Sequence, residues 1–210
     1  MARAPVDRIE QRKLTRQKLV EAALELFSTS GYEHATVDDI SHAAGYSKGA
    51  YYFHFSTKDD MLLELLRIWT EGRTAALVRD EDAAPSPDDL REMLSGFFSY
   101  AATPRWPGVL LEFWAQAVRN PEVSKRLTEC YARWRKQIAA AFAAAVSSGL
   151  RVESAEDAAS VVLAAHDGFA VQTAIGAPGG RAMTAAELAD SIIAPLETAA
   201  ETDERRTIAL

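Results

Sequence analysis

Between Thr36 and Asp60 the chain reads TVDDISHAAGYSKGAYYFHFSTKDD, two short helical segments that meet at a glycine with a third beginning at once. Thr36 and Asp39 have the spacing of a capping box, in which the hydroxyl takes an orphan backbone amide and the carboxylate reaches back to the cap. Along the segment so started, Val37, Ile40, Ala43 and Ala44 fall three and four apart and make one apolar face. Gly45 ends it, because glycine tolerates the left-handed conformation of a tight turn. Ser47 is placed to cap the next segment, and Gly49 and Ala50 keep its start small enough for close approach to another surface. The pattern is a helix-turn-helix, whose second helix is shaped to enter a major groove.

The run Tyr51-Tyr52-Phe53-His54-Phe55 is too aromatic for the single buried face of a short helix. Some of these rings pack inside and others point outward. Tyr52 and His54 carry donors that suit phosphate oxygens, and Lys58 opens the next helix, where free amides and the dipole favour an anion.

Thr36 to Lys58 resembles the DNA-binding signature of the TetR family of transcriptional regulators. The helix before it fits, with Leu14, Leu19, Ala22, Ala23, Leu26 and Phe27 as an apolar stripe that stops at Ser30-Gly31-Tyr32. Carried over by position, the resemblance implies Thr36, Tyr52, His54 and Lys58 as DNA-backbone contacts and Tyr46, Ser47, Lys48 and Ala50 as candidates for base edges. Tyr51 departs from the pattern, since the family usually has a smaller aliphatic residue there, so the packing under the reading helix differs in detail.

The whole chain is acidic, with net charge -7, but the charge is unevenly placed. Residues 1–58 hold 8 Lys+Arg against 7 Asp+Glu, and the remainder holds 15 against 23. Arg3, Arg8, Arg12, Lys13, Arg16 and Lys18 crowd the first twenty positions against Asp7 and Glu10. This arm, flexible over residues 1–11, is either a solvated tail or a strip that lies along a phosphate backbone or minor groove.

A chain of 210 residues, 48% of them apolar, is long enough for a small module and a larger body with its own core. The division expected is 1–58 for the DNA-binding module and 59–210 for a helical ligand-binding and dimerisation domain. No segment resembles a signal peptide, and no apolar run approaches the roughly twenty residues a bilayer span needs, which points to a cytoplasmic protein without membrane association. Cys130 is the single cysteine, so an internal disulfide is excluded and a small buried hydrophobe is its expected role.

Beyond Lys58 the pattern is helical throughout, so the fold class is all-α. One helix carries Met61, Leu62, Leu65, Leu66 and Trp69 and runs to about Arg79, followed by an acidic loop from Asp80 to Pro87. Further helices are expected from Asp88 to about Ala101, from Gly108 to Arg119, and from Pro121 to Ser148, where Gly149 stops the last. The final pair spans about Ser154 to Ile175 and Thr184 to Ala200.

That pair is rich in alanine and glycine, which permit close helix approach. Val161, Val162 and Ala165 on one helix and Ile192, Ile193 and Leu196 on the other make either a monomeric core or half of a four-helix dimer interface. A homodimer is favoured, because one module contacts too little DNA for useful specificity, and the TetR resemblance implies the same. The body also holds many large rings beside short alanines, a texture that either packs solid or leaves an apolar cavity for a small molecule. Candidate lining residues are Phe98, Phe113, Trp114, Gln116, Tyr131, Trp134, His166 and Phe169. The stretches LLEFWAQAVRNPEV and HDGFAVQTAIG resemble one group of TetR ligand domains.

His34, His42, His54 and His166 show no metal spacing, and no nucleophile elbow or phosphate loop is present, so no metal, no cofactor and no catalysis are expected. The sequence is read as a homodimeric repressor that binds a palindromic double-stranded DNA operator and is released by a small-molecule effector. The alternative is an architectural or protein-binding helical module without effector response.

Overall fold

The computed structural model describes residues 5–77, 84–99, 105–176 and 183–207, with side chains from 8 to 197 within those ranges. Among them the chain is helical, with no strand: α1 (Pro5–Ser30), α2 (Val37–Ala43), α3 (Lys48–His54), α4 (Lys58–Leu77), α5 (Pro87–Ser99), α6 (Trp106–Ala117), α7 (Pro121–Ala145), α8 (Ala155–Ile175) and α9 (Ala185–Thr207).

Most boundaries follow local chemistry visible in the sequence. Ser154 caps α8 by accepting from the Asp157 amide, and a 3₁₀ turn after α7 ends at Gly149 with φ +94°. Others differ. α1 starts at Pro5, so residues 5–11 of the expected flexible arm are helical, as their Arg, Glu, Gln and Lys content permits; residues 1–4 lie outside the described set. Leu14 is 45% exposed, and the buried stripe of α1 runs through Thr15, Leu19, Ala23 and Phe27, four apart. α5 starts at Pro87 rather than Asp88, because Ser86 and Asp89 form a capping box. Residues 78–83 and 100–104, where the ends of α4 and α5 and most of the acidic loop were expected, are outside the described residues. α9 continues to Thr207 through Pro195, whose missing N–H leaves the Ser191 carbonyl without its helical donor.

The helices gather into two compact units that do not follow chain order. The first comprises Met1–Trp69 and Pro104–Ser124, and the second Thr70–Thr103 and Lys125–Leu210. In the first, α1 packs on α2, α3 and α6 around Leu19, Phe27, Ile40, Tyr51, Trp69 and Phe113. α6 comes so close to α1 that a Cβ at Gly108 would lie 3.0 Å from the Ser28 carbonyl oxygen. In the second, α5 packs on α9, and Phe97, Trp134, Phe142, Val162 and Ile193 are fully buried. Arg91 ties α5 to α9 through Asp190, at 2.9 Å, and Glu197.

α8 is long and apolar enough to cross a bilayer by length and composition, unlike any run picked out from the sequence. Its alanines raise the mean hydropathy without a stretch of large apolar residues, and the fully buried His166 at its centre belongs to a packed body.

Candidate nucleic-acid interface

α2 and α3 are set by their caps. The Thr36 hydroxyl accepts from the Asp39 amide at 3.1 Å and the Asp39 carboxylate accepts from the Thr36 amide at 3.0 Å, the reciprocal pair that the spacing predicts. The carboxylate also accepts from the Thr36 hydroxyl at 2.6 Å, and this bond, then the one from the Thr36 amide, holds the Asp39 carboxyl below its ordinary pKa. Gly45 turns the chain at φ +75°, and the Ser47 hydroxyl accepts from the Ala50 amide to start α3.

The aromatic run divides by face. Tyr51 is fully buried, its hydroxyl donating to the Thr57 carbonyl at 3.0 Å, and Phe55 is buried with it. Tyr52 is half exposed and Phe53 is 63% exposed, so α3 presents rings outward on the side away from the core. His54 lies between, its pKa lowered by partial burial and then by the charges of Arg12 and Arg16, so the imidazole is neutral near pH 7.

The remaining candidates are placed as follows. Ser47 and Lys48 are exposed at the start of α3, with Ala50 half buried one turn in. The Lys48 ammonium pairs with Asp38 of α2 at 2.9 Å. Tyr46 faces α1, where the Lys18 ammonium lies 5.9 Å from its ring centroid. Lys58 donates to the carbonyls of Tyr32 at 2.7 Å and Ala35 at 3.1 Å and sits 4.2 Å from the Tyr32 ring centroid, so in the free protein it ties the α1–α2 loop to α4. The Tyr32 hydroxyl in turn donates to Asp59, and burial with that contact raises its pKa.

Two arginines of α1 lie over rings of this module, which the sequence did not reveal. Arg16 is 5.0 Å from the Phe55 centroid and pairs with Glu64 at 2.6 Å. Burial would raise the Glu64 pKa, but hydrogen bonds from Arg67 and Arg16 outweigh it and bring the carboxyl to about 2. Arg12 is 4.7 Å from the Phe53 centroid. The sequence signal was present, since Arg12 and Arg16 are one turn apart on the helix that crosses α3.

The residues expected to line a ligand cavity separate between the two units. Phe113, Trp114 and Gln116 belong to the first, where Phe113 packs on Trp69 and the Gln116 amide donates to Glu33 at 3.0 Å. In the second, Phe98, Trp134 and His166 cluster, and Asp167 accepts from Tyr131 at 2.7 Å and meets His166 Nδ1 at 2.8 Å. Phe169 is half buried one turn further along α8. The sequence missed Arg73, fully buried at the centre of this cluster, although it lies four residues after Trp69 on the apolar face of α4.

Of the residues expected at a dimer interface, Val162 and Ile193 are fully buried inside the chain, so their surface is already spent. Val161 is 58% exposed, and Ala165, Ile192 and Leu196 are half buried. Among the described residues no group of three or more His, Cys, Asp or Glu side chains is arranged to hold a metal ion. Cys130 is buried, which pushes its thiol up to about 12.

Two family models match: bacterial regulatory proteins of the tetR family over residues 19–65, and the C-terminal domain of BetI-type transcriptional repressors over residues 87–196. The HTH-type transcriptional regulator BetI of Agrobacterium fabrum is 34% identical over 135 residues, 60% of this chain and 62% of that protein. The chain spans less than two thirds of the length of the curated relatives it matches. A solved transcriptional regulator from Rhodococcus sp. Rha1 superposes with a TM-score of 0.69 at 26% identity, covering 88% of this chain and 96% of that one. A regulator from Saccharomonospora viridis, solved in complex with choline, has a TM-score of 0.68 at 24% identity over 84% and 92% of the two chains, a likeness of fold alone.

Proposed function

Because this chain belongs to the tetR family of bacterial regulatory proteins, we propose that it is a cytoplasmic homodimeric repressor that leaves a palindromic operator when a small-molecule effector binds. The family is one of DNA-binding transcriptional regulators, and the finer reading rests on this chain's own geometry. The observation that carries it is the doubly capped α2–Gly45–α3 unit, which presents Ser47, Lys48 and Tyr52 outward from a buried Tyr51 and Phe55.

In this reading residues 1–58 form the DNA-binding module and residues 59–210 the ligand-binding and dimerisation domain. Tyr46, Ser47, Lys48 and Ala50 meet base edges, while Thr36, Tyr52, His54 and Lys58 meet phosphates. For Lys58 the phosphate contact shares the ammonium with the Tyr32 and Ala35 carbonyls it already holds. Two copies place their α3 helices in successive major grooves about 34 Å apart. An effector held near Phe98, Tyr131, Trp134, His166 and Phe169 favours a conformer whose spacing no longer fits, and a coupling of about 1 to 3 kcal/mol is enough for tenfold loss of affinity. α4 is continuous from one unit into the other and is the natural carrier of that change. The choline complex of the Saccharomonospora viridis regulator makes quaternary ammonium compounds the first effector probes.

Selection of bound duplexes from a random pool, with sedimentation of the protein alone and with the selected DNA, tests the reading. A palindromic consensus bound by two copies is expected. A strict monomer on its DNA, or binding without any consensus, overturns it and supports the architectural alternative.

A further inference from the structure

We propose that Arg12, stacked on Phe53, is a DNA-backbone clamp, in which the exposed ring orients the guanidinium so that its fork takes the oxygens of one phosphate beside the groove that α3 enters. The proposal rests on α3 being the reading helix, and it assigns a contact to a different helix, α1.

Arg16 and Arg12 are one turn apart on α1, and each lies over an aromatic ring at the C-terminal end of α3. Arg16 covers the buried Phe55 and has its counter-ion built in, Glu64, at 2.6 Å. Arg12 covers Phe53, and among the described residues no carboxylate pairs with it. The fold therefore supplies an anion for one stacked arginine and leaves the place beside the other open to an external one.

Phe53 itself needs an account. It is a large apolar ring, 63% exposed, on the helix that faces DNA, and it carries no hydrogen-bonding group of its own. A ring in that position contributes nothing to the core. It does provide a flat platform, and guanidinium on an aromatic face is held with its N–H groups pointing outward in the ring's plane, ready for bidentate phosphate binding. Stacking also removes part of the rotamer freedom that a lone surface arginine would lose on contact. His54 lies edge-on to Phe53 with ring centroids 5.1 Å apart, and burial, then the charges of Arg12 and Arg16, lower its pKa.

The test uses the full chain and two probes, the duplex returned by selection and a mixed-sequence duplex, with affinity measured across a range of salt concentrations. Arg12→Ala is expected to weaken both by the same factor and to lower the salt slope by about 0.9 for each chain bound, the signature of one lost phosphate. Phe53→Ala should weaken both about two- to fivefold with the slope kept, since the charge remains and only its platform is gone. Phe53→Tyr should bind as the parent does, and Arg12→Lys should keep the slope but lose affinity. Both residues are exposed, so thermal melting by circular dichroism should be unchanged. If the parent binds DNA and Arg12→Ala leaves the slope intact, or Phe53→Ala binds as tightly as the parent, the clamp is wrong while the reading of α3 stands. A parent with no affinity for either duplex overturns both.

Discussion

The guanidinium of Arg73 lies 4.6 Å from the centroid of the Phe97 ring and 5.1 Å from that of Trp134, and its Nη2 donates to the Phe97 carbonyl at 3.1 Å. With His166 against the same Phe97 ring at 5.1 Å, the second unit contains an aromatic box whose occupant is the chain's own cation. Trp134 and His166, which the sequence marks as ligand-lining, are thus engaged in the free protein together with Phe97, which it does not mark. Aromatic rings also attract quaternary ammonium groups, so in the proposed effector site such a head would compete with Arg73 for these rings.

Arg73→Ala should therefore empty the box and destabilise the protein by about 2 to 4 kcal/mol, as for other large buried truncations. At roughly 2 to 4 °C per kcal/mol for a chain of this size, the melting temperature should fall by several degrees. Tetramethylammonium chloride should restore part of the loss in the variant and leave the parent unmoved, with potassium chloride as the ionic control. Equal stabilisation of both proteins would show that the cation does not exclude ligands from the box.

His166 is fully buried, and burial first, then the charge of Arg73, lower its pKa to about 4 despite the opposing Asp167. The folded value is below the unfolded one of about 6.5, so between the two the unfolded chain binds more protons. Its contribution to stability is present above pH 6.5 and is lost as pH falls toward 4, up to about 3 kcal/mol. Urea titrations of the parent and His166→Gln at pH 7 and pH 5 isolate this term from the carboxylates. The difference between the two proteins should shrink at the lower pH, and a constant difference would show that the imidazole titrates normally.

How much of this could be read from the sequence depends on the range of the interaction. The Thr36–Asp39 capping box, Gly45, Ser47 and the all-helical body follow from residues within four positions of one another, and the structure repeats them. The two-unit grouping does not, because α6 joins α1 through the contact of Gly108 with Ser28, eighty positions apart. Leu14 was placed on the buried stripe by hydrophobicity alone, whereas Thr15 is buried in its stead with its hydroxyl on the Gln11 carbonyl at 2.8 Å. Arg73 was missed for the matching reason: a charged residue on an apolar face is counted as a break, although rings can hold a guanidinium there.

Lys48 reaches base edges in the proposed complex only by leaving Asp38, 2.9 Å away, and both partners are more than half exposed. Such a pair adds little to stability, so Asp38→Asn should leave melting unchanged. It also removes a negative charge beside the groove, and a gain of about 1 kcal/mol, roughly fivefold, is expected for all duplexes alike. Fluorescence anisotropy with selected and mixed-sequence duplexes measures it. Weaker binding by the variant would instead mean that Asp38 holds Lys48 in its productive pose.

Gly168 lies on the exposed side of α8, and a Cβ there would meet nothing within 4 Å in the single chain. By helix propensity alone Gly168→Ala should stabilise α8 by about 1 kcal/mol. In the proposed dimer the same position lies about two turns beyond the exposed Val161, on a face of small residues that lets α8 approach its partner closely. The methyl group should then hold the subunits apart, raising the dimer dissociation constant tenfold or more in sedimentation equilibrium while helicity is kept. A variant that melts higher and dimerises as the parent does would move the interface away from α8.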